Sequence, residues 1–170
     1  MQKYANMMEE TFSYEIRWAK KEEWKPAMLM IWKTFMKFEG NDYTEEGIRN
    51  FYEFISDDGL YQMFLQGTYQ LMVATVGERI VGAGSLRCGN YLSLLFVDEE
   101  YHRKGIGRAI MERLCNYLYT EMGKNKMVLR AAPYAVDFYR RLGFRSIRGE
   151  EEISGIRVTL MEKTLETDVP

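Results

Sequence analysis

Two glycines and three cations stand where a helix begins. Residues 94–114, LLFVDEEYHRKGIGRAIMERL, start as an apolar strand, pass three acids, and run through His102-Arg103-Lys104-Gly105-Ile106-Gly107-Arg108 into a helical period. The first N–H groups of a helix have no internal acceptor, and the aligned peptide dipoles make that end positive. Phosphate oxygens bind there readily. Glycine lets the backbone approach those oxygens with no Cβ in the way. Arg103, Lys104 and Arg108 add positive charge around the same point. A pyrophosphate accounts for all of these features together. Two other phosphate-binding loops fail on spacing. A P-loop needs Gly-x-x-x-x-Gly-Lys-Ser/Thr, which is absent. A dinucleotide fingerprint needs a third glycine where Ile110 stands, and it belongs to an early βαβ unit, whereas this turn comes late.

Charge distribution agrees with a local anion. The chain of 170 residues has a net charge of −2, yet residues 102–148 alone carry 11 Lys/Arg against 3 Asp/Glu. The remainder is correspondingly acidic. The cations cluster at one helix start and do not run with aromatics along a groove, which argues against nucleic acid. Cys88 and Cys115 have neither metal-ligand nor disulfide spacing, so no metal is expected and a reducing compartment fits. The N-terminus lacks the apolar run of a signal peptide, and no stretch approaches the roughly 20 apolar residues of a membrane span. A cytoplasmic protein without membrane contact is expected. The length predicts one domain, residues 1–170 with a core of about 13–163.

Periodicity supplies the elements that position the loop. Residues 13–19 alternate as a strand. Residues 21–38 place Trp24, Met28, Ile31, Trp32 and Phe35 on one helical stripe, ended by Gly40. A second helix follows over 41–58. Asp42 or Thr44 can cap it, with Glu45 completing a capping box on Asp42, and its stripe is Ile48, Phe51, Tyr52 and Ile55. Residues 68–76 and 79–87 form a hairpin, with Gly82 and Gly84 marking a bulge or a close backbone approach. The strand at 90–97 is almost wholly apolar, which predicts a central strand covered on both faces. The helix from about Gly105 to Met122 buries Ile106, Ile110, Leu114 and Leu118. A strand at 126–131, a helix opened by Pro133 and stopped at Gly143, and a strand at 157–163 complete the order. The tail from Thr164 is expected to fray. A mixed sheet with helices on both faces is the natural architecture.

At this point the chain resembles the GNAT superfamily of acetyl-coenzyme A-dependent N-acetyltransferases. The family signature Arg/Gln-x-x-Gly-x-Gly/Ala lies after a strand and opens a helix. Here it reads His102-Arg103-Lys104-Gly105-Ile106-Gly107, with His102 departing from the pattern. A second family feature follows in AVDFYRRLGF, as Ala135, Phe138, Tyr139, Gly143 and Phe144. The resemblance implies an α/β (α+β) GNAT-type acyl-CoA N-acyltransferase fold. Its sheet is central, mixed and mostly antiparallel, with a splayed strand pair and helices on both faces. It implies acetyl-CoA as acyl donor. The backbone of Arg103, Lys104, Gly105, Ile106, Gly107 and Arg108 would wrap the pyrophosphate, Leu95, Phe96 and Val97 would pair with the pantetheine arm, and Phe138 would contact the cofactor. Where relatives carry Asn on the strand at 126–131, this chain has Arg130, Ala131 and Ala132. Arg130 reads as a phosphate contact or as an ordinary surface arginine.

Acetyl transfer needs a neutral amine, a stabilised carbonyl oxygen and a protonated leaving thiolate. The resemblance gives the last role to Tyr139, against the alternative that it simply packs a helix onto the sheet. The oxyanion donor is expected to be the backbone N–H of Val97 or a neighbour. No single base is legible. Asp98, Glu99 and Glu100 read as solvated turn residues. Glu39, Asp42, Glu45 and Glu46 stand where relatives wall the acceptor site and could attract a cationic amine. His102 reads as a capping or cofactor-contacting residue, not a catalyst. The expected activity is acetylation of a small-molecule or peptide amine, with a homodimer permitted. The alternative is a non-catalytic acyl-CoA-binding sensor or interaction module.

Overall fold

Alternating residues of the central strands send side chains into two separate cores, one on each sheet face. The computed structural model describes residues 12–166. Strands β1 (Glu15–Trp18), β2 (Tyr69–Val76), β3 (Arg79–Arg87), β4 (Tyr91–Val97), β5 (Lys126–Ala131), β6 (Arg145–Ser146), β7 (Glu151–Ile153) and β8 (Ile156–Thr164) form one sheet. Its order is β1-β2-β3-β4-β5-β8-β6, with β7 paired to β8. Among the described residues only the β4–β5 pair is parallel; the other pairs are antiparallel. Helices α1 (Trp24–Phe38), α2 (Glu45–Ser56) and α3 (Asp58–Gln66) cover one face. Helices α4 (Ile106–Thr120) and α5 (Val136–Arg141) cover the other. On β2, Tyr69, Leu71 and Val73 point to the first core, while Met72 and Ala74 point to the second.

The expected strand glycines serve close approach. A Cβ on Gly84 would lie 2.7 Å from Ile110 Cγ2 and 3.0 Å from Leu114 Cδ1. A Cβ on Gly82 would lie 3.0 Å from Ile106 Cγ2. The two glycines therefore set how deeply α4 sinks onto the sheet, and with it the height of the 103–107 loop. The register passes from Ala74–Gly82 to Thr75–Ile80, which leaves Val81 as the extra residue of a bulge on β3.

Four expectations are corrected. The segment 58–66 forms α3, which was not anticipated because Gly59 and a short apolar run gave no long helical period. Asp57 caps it with a bond from Gly59 N–H at 3.1 Å, and Gly67 ends it at φ +80°. Helix α2 starts at Thr44, whose hydroxyl accepts from Gly47 N–H at 3.0 Å, so the box on Asp42 does not form. On its stripe Tyr52 is 52% exposed, and Phe54 is turned inward instead. The tail does not fray at Thr164: Leu165 is buried and its N–H donates to Asn125 O at 2.8 Å. Residues 167–170 lie outside the described residues, as do 1–11. Strands β6 and β7 are short and carry too few residues to show alternation.

Candidate active site

Strand β4 has the central place expected of it but is not covered throughout. It pairs with β5 only at Tyr91–Val128 and Leu92–Leu129, and beyond Leu92 the two strands separate. Asp98 N–H donates to Val81 O at 2.8 Å. Antiparallel ladders alternate, so the backbone groups of Leu95 and Val97 turn the other way, into the gap. The side chains of Leu95, Phe96 and Val97 are half-buried and line a cavity of about 590 Å³. That opening is why the apolar run did not become a strand buried on both faces.

The loop at the start of α4 forms the other wall. The backbone N–H groups of residues 103–108 find no acceptor among the described residues; the first bond of the helix is Ala109 N–H to Gly105 O, at 3.0 Å. Arg103 (φ +61°) and Gly105 (φ +78°) both hold left-handed conformations. Such alternation gathers successive N–H groups into an anion-binding concavity. For Arg103 that conformation is costly, as is common where backbone is held for a ligand. Arg103, Gly105, Ile106, Gly107 and Arg108 line the cavity. Lys104 does not: its ammonium lies 4.9 Å from the Phe12 ring centroid, outside the cavity lining. His102 anchors the loop to β4. The carbonyl of Val97 can only accept, so His102 Nε2–H donates to it, at 2.6 Å. The residue that departs from the family signature thus ties the loop to the strand end.

A second cavity, of about 420 Å³, meets the first at Glu39, Leu95, Phe96, Tyr134, Ala135 and Tyr139. Tyr139 is 9% exposed and borders both. It also packs, edge-on, between Phe138 at 5.2 Å and Phe144 at 5.7 Å between centroids. Burial chiefly, and then the nearby Glu39, holds its hydroxyl above the ordinary tyrosine range. Its proton is therefore retained throughout neutral pH. Phe138 lines the first cavity beside Gly107.

Glu39 caps the C-terminus of α1 and is only 7% exposed. A carboxylate there faces the negative end of the helix dipole. Tyr134, 95 residues away in sequence, donates its hydroxyl to Glu39 Oε1, and the Tyr43 hydroxyl lies beside the same carboxylate. Tyr134 as a residue is 57% exposed, but its hydroxyl reaches inward to this acid. Burial raises the Glu39 carboxyl above its usual range despite the two tyrosine donors, and Asp42 adds to the rise. Tyr43 and Tyr134 are raised in turn by burial and by Glu39. The other acids are structural. Asp98 and Glu100 bind Arg79 at 3.1 and 3.0 Å, and Glu99 binds Lys37. Asp42, Glu45 and Glu46 are exposed and line neither cavity.

Sequence reasoning assembled the loop, the strand end and Tyr139. It named Glu39 only as one of four acids, and it missed Tyr43 and Tyr134. Their one sequence signal is that each follows a helix-boundary residue, Tyr43 after Gly40 and Tyr134 after Pro133. Cys115 packs in α4, where burial pushes its thiol up to about 11, the opposite of an activated thiolate. Among the described residues no His, Cys, Asp or Glu cluster is placed to hold a metal, and no helix is long and apolar enough to cross a membrane.

Comparison with known proteins gives this geometry a family. The family model described as an acetyltransferase (GNAT) domain matches residues 39–165. The uncharacterized N-acetyltransferase YafP of Escherichia coli is 30% identical over 79 residues, 46% of this chain. The match spans about half, 48%, of the length of that curated relative. Among solved structures, a GCN5-related N-acetyltransferase from Rhodopseudomonas palustris is similar at a TM-score of 0.76 and 20% identity, over 91% of this chain and 97% of that one. PaiA N-acetyltransferase from Thermoplasma acidophilum, in complex with coenzyme A, is similar at 0.75 and 19%, over 90% and 99%. At these identities the likeness is one of fold.

Proposed function

The chain belongs to the GNAT acetyltransferase family, and on that premise we propose that it moves an acetyl group from acetyl-CoA to a primary amine by direct attack. One observation carries this reading. A row of N–H groups without acceptors at residues 103–108 opens onto the same cavity as the splayed end of β4, and that cavity ends at Tyr139. The N–H groups, with Arg103 and Arg108, suit the pyrophosphate. The free backbone of Leu95 and the N–H of Val97, whose carbonyl is held by His102, suit the amide-rich arm. The second cavity, beyond Tyr139, is then the acceptor side.

The amine lone pair attacks the thioester carbonyl, whose developing charge meets the Val97 N–H. The C–S bond breaks, and the thiolate takes the proton of Tyr139. The proton lost by the amine passes to Glu39. A carboxyl raised by burial is a better proton acceptor than an exposed one, and it stands at the meeting point of the two cavities. Coenzyme A leaves as the thiol; Glu39 then releases the amine proton and Tyr139 takes one up, both through solvent, which restores the site. Tyr43 and Tyr134 fix the Glu39 carboxylate and are positioning residues.

A thiol-release assay with acetyl-CoA and an amine panel tests the proposal. Release with at least one amine, lowered about 10²–10⁴-fold in kcat by Tyr139→Phe, is the expected outcome for loss of a general acid. A protein that binds coenzyme A and releases thiol to no amine would be an acyl-CoA-binding sensor.

A further inference from the structure

The acceptor-side cavity holds one carboxylate and two guanidiniums, Glu39, Arg87 and Arg130. They are not mixed. Glu39 is shared with the first cavity, next to Tyr139, whereas the two arginines border only the second. Both flank Tyr91: the Arg87 and Arg130 guanidinium carbons lie 5.3 and 5.6 Å from its ring centroid. Arg130 Nη1 also donates to the Tyr91 hydroxyl at 3.3 Å. Arg87 lies opposite Tyr91 in the β3–β4 register, and Arg130 is the first β5 residue past the last pair with β4. The splay that opens the cavity thus delivers both cations to its far end.

Neither arginine pairs with a carboxylate among the described residues. Of the other strand arginines, Arg17, Arg79 and Arg145 hold carboxylates, whereas Arg157 on β8 holds none among the described residues but lies outside this cavity. Two unpaired guanidiniums over one aromatic ring repel each other unless an anion joins them, and the planar fork matches carboxylate and phosphate oxygens. Tyr91 stands four residues before Leu95 on one strand, about 13 Å at roughly 3.3 Å per residue. An amine at Tyr139 and an anion at the arginine pair are therefore separated by a spacer. A polyamine would instead bring a second cation against two others.

Resting on the acetyl-transfer reading, the geometry points to a small acceptor whose end remote from the amine is anionic, a carboxylate or a phosphate held by Arg87 and Arg130. Of the four acids expected to attract a cationic amine, only Glu39 lines this cavity, at its amine end; Asp42, Glu45 and Glu46 lie outside it.

The test compares ω-amino carboxylates and ω-aminoalkyl phosphates of increasing length with alkylamines and diamines of the same lengths and with spermidine. Each is an acceptor for thiol release by the full chain, and the carboxylate and phosphate arms distinguish the two anions. The expected result is a preference of about 10- to 100-fold in kcat/KM for one anionic series over its matched alkylamines, the scale of a charge-assisted pair. Arg130→Gln should collapse that ratio chiefly through KM, and Arg130→Lys should restore part of it. Arg130 is exposed, so the fold should survive; Arg87→Gln is the second variant, with its thermal midpoint checked. Preference for diamines, spermidine or neutral alkylamines overturns the inference, as does a ratio untouched by both variants. If coenzyme A binds but no acceptor releases thiol, the transfer reading fails separately. Calorimetric titration of the same ω-amino acids then decides: saturable binding weakened by Arg130→Gln supports the anion site, and absence of binding refutes it.

Discussion

Replacing Gly107 by alanine should separate stability from ligand binding, because the two glycines of the loop sit differently in the backbone. Gly107 lies within the first turn of α4 in a conformation open to any residue. An added Cβ would meet Phe138 Cζ at 3.5 Å and Val97 Cγ2 at 3.6 Å, ordinary contact distances. Gly107→Ala then brings no clash and gains helix propensity, about 0.5–1 kcal/mol in a helix interior and less at its first turn. For a chain of this size that is a rise of about 1–3 °C in Tm. Gly105 has the opposite sign. Its Cβ would meet nothing within 4 Å, but its φ of +78° is left-handed, so Gly105→Ala carries a conformational cost of about 1–2 kcal/mol. Both methyl groups would project where the pyrophosphate is proposed to approach. Losing one or two charge-assisted bonds, at about 1.5–3 kcal/mol each, weakens coenzyme A at least about tenfold. Differential scanning calorimetry and calorimetric titration with coenzyme A read the two quantities. The result that would refute the reasoning is an unchanged Kd in Gly107→Ala. A Gly107→Ala that loses stability together with binding would equally show that the loop acts by structure alone.

Two further outcomes follow from particular groups. The folded state raises the carboxyl of Glu39, so its stabilising protonation is complete below the usual carboxylate range and is lost as pH climbs through the raised value. Glu39→Gln should therefore be at least as stable as the native chain at pH 7, with the difference shrinking toward pH 4, while thiol release falls; a variant less stable at pH 7 than at pH 4, relative to native, would contradict this. Gly155 has φ +79°, and a Cβ there would lie 2.4 Å from Thr44 Oγ1 and 3.0 Å from Gly47 N. Gly155→Ala should lift the β7–β8 turn off α2, raising KM for the acceptor several-fold while the Kd for coenzyme A holds; an altered coenzyme A affinity with unaltered acceptor KM would refute that division of the site.

What the sequence determined by itself was local. Gly105 and Gly107 between an apolar strand and a 3.6-residue stripe specify a helix start with free N–H groups, because glycine placement and periodicity act within a few residues. The short helix opened by Pro133 and ended by Gly143 was readable for the same reason, whereas the Phe138-Tyr139 pair on it was singled out only by the family resemblance. What the tertiary structure decided was which distant groups meet. The separation of β4 from β5 beyond Leu92 turned an apolar run into a cavity wall, since nothing in LLFV distinguishes a covered strand from a splayed one. Glu39 differs from Asp42, Glu45 and Glu46 in standing at the end of α1, closed over by Tyr43 and by Tyr134 from 95 residues away. The pairing of Arg87 with Arg130 around Tyr91 likewise exists only because β3, β4 and β5 bring three separated residues to one end of a gap. Charge and burial there depend on contacts between elements, and no pattern along the chain encodes those.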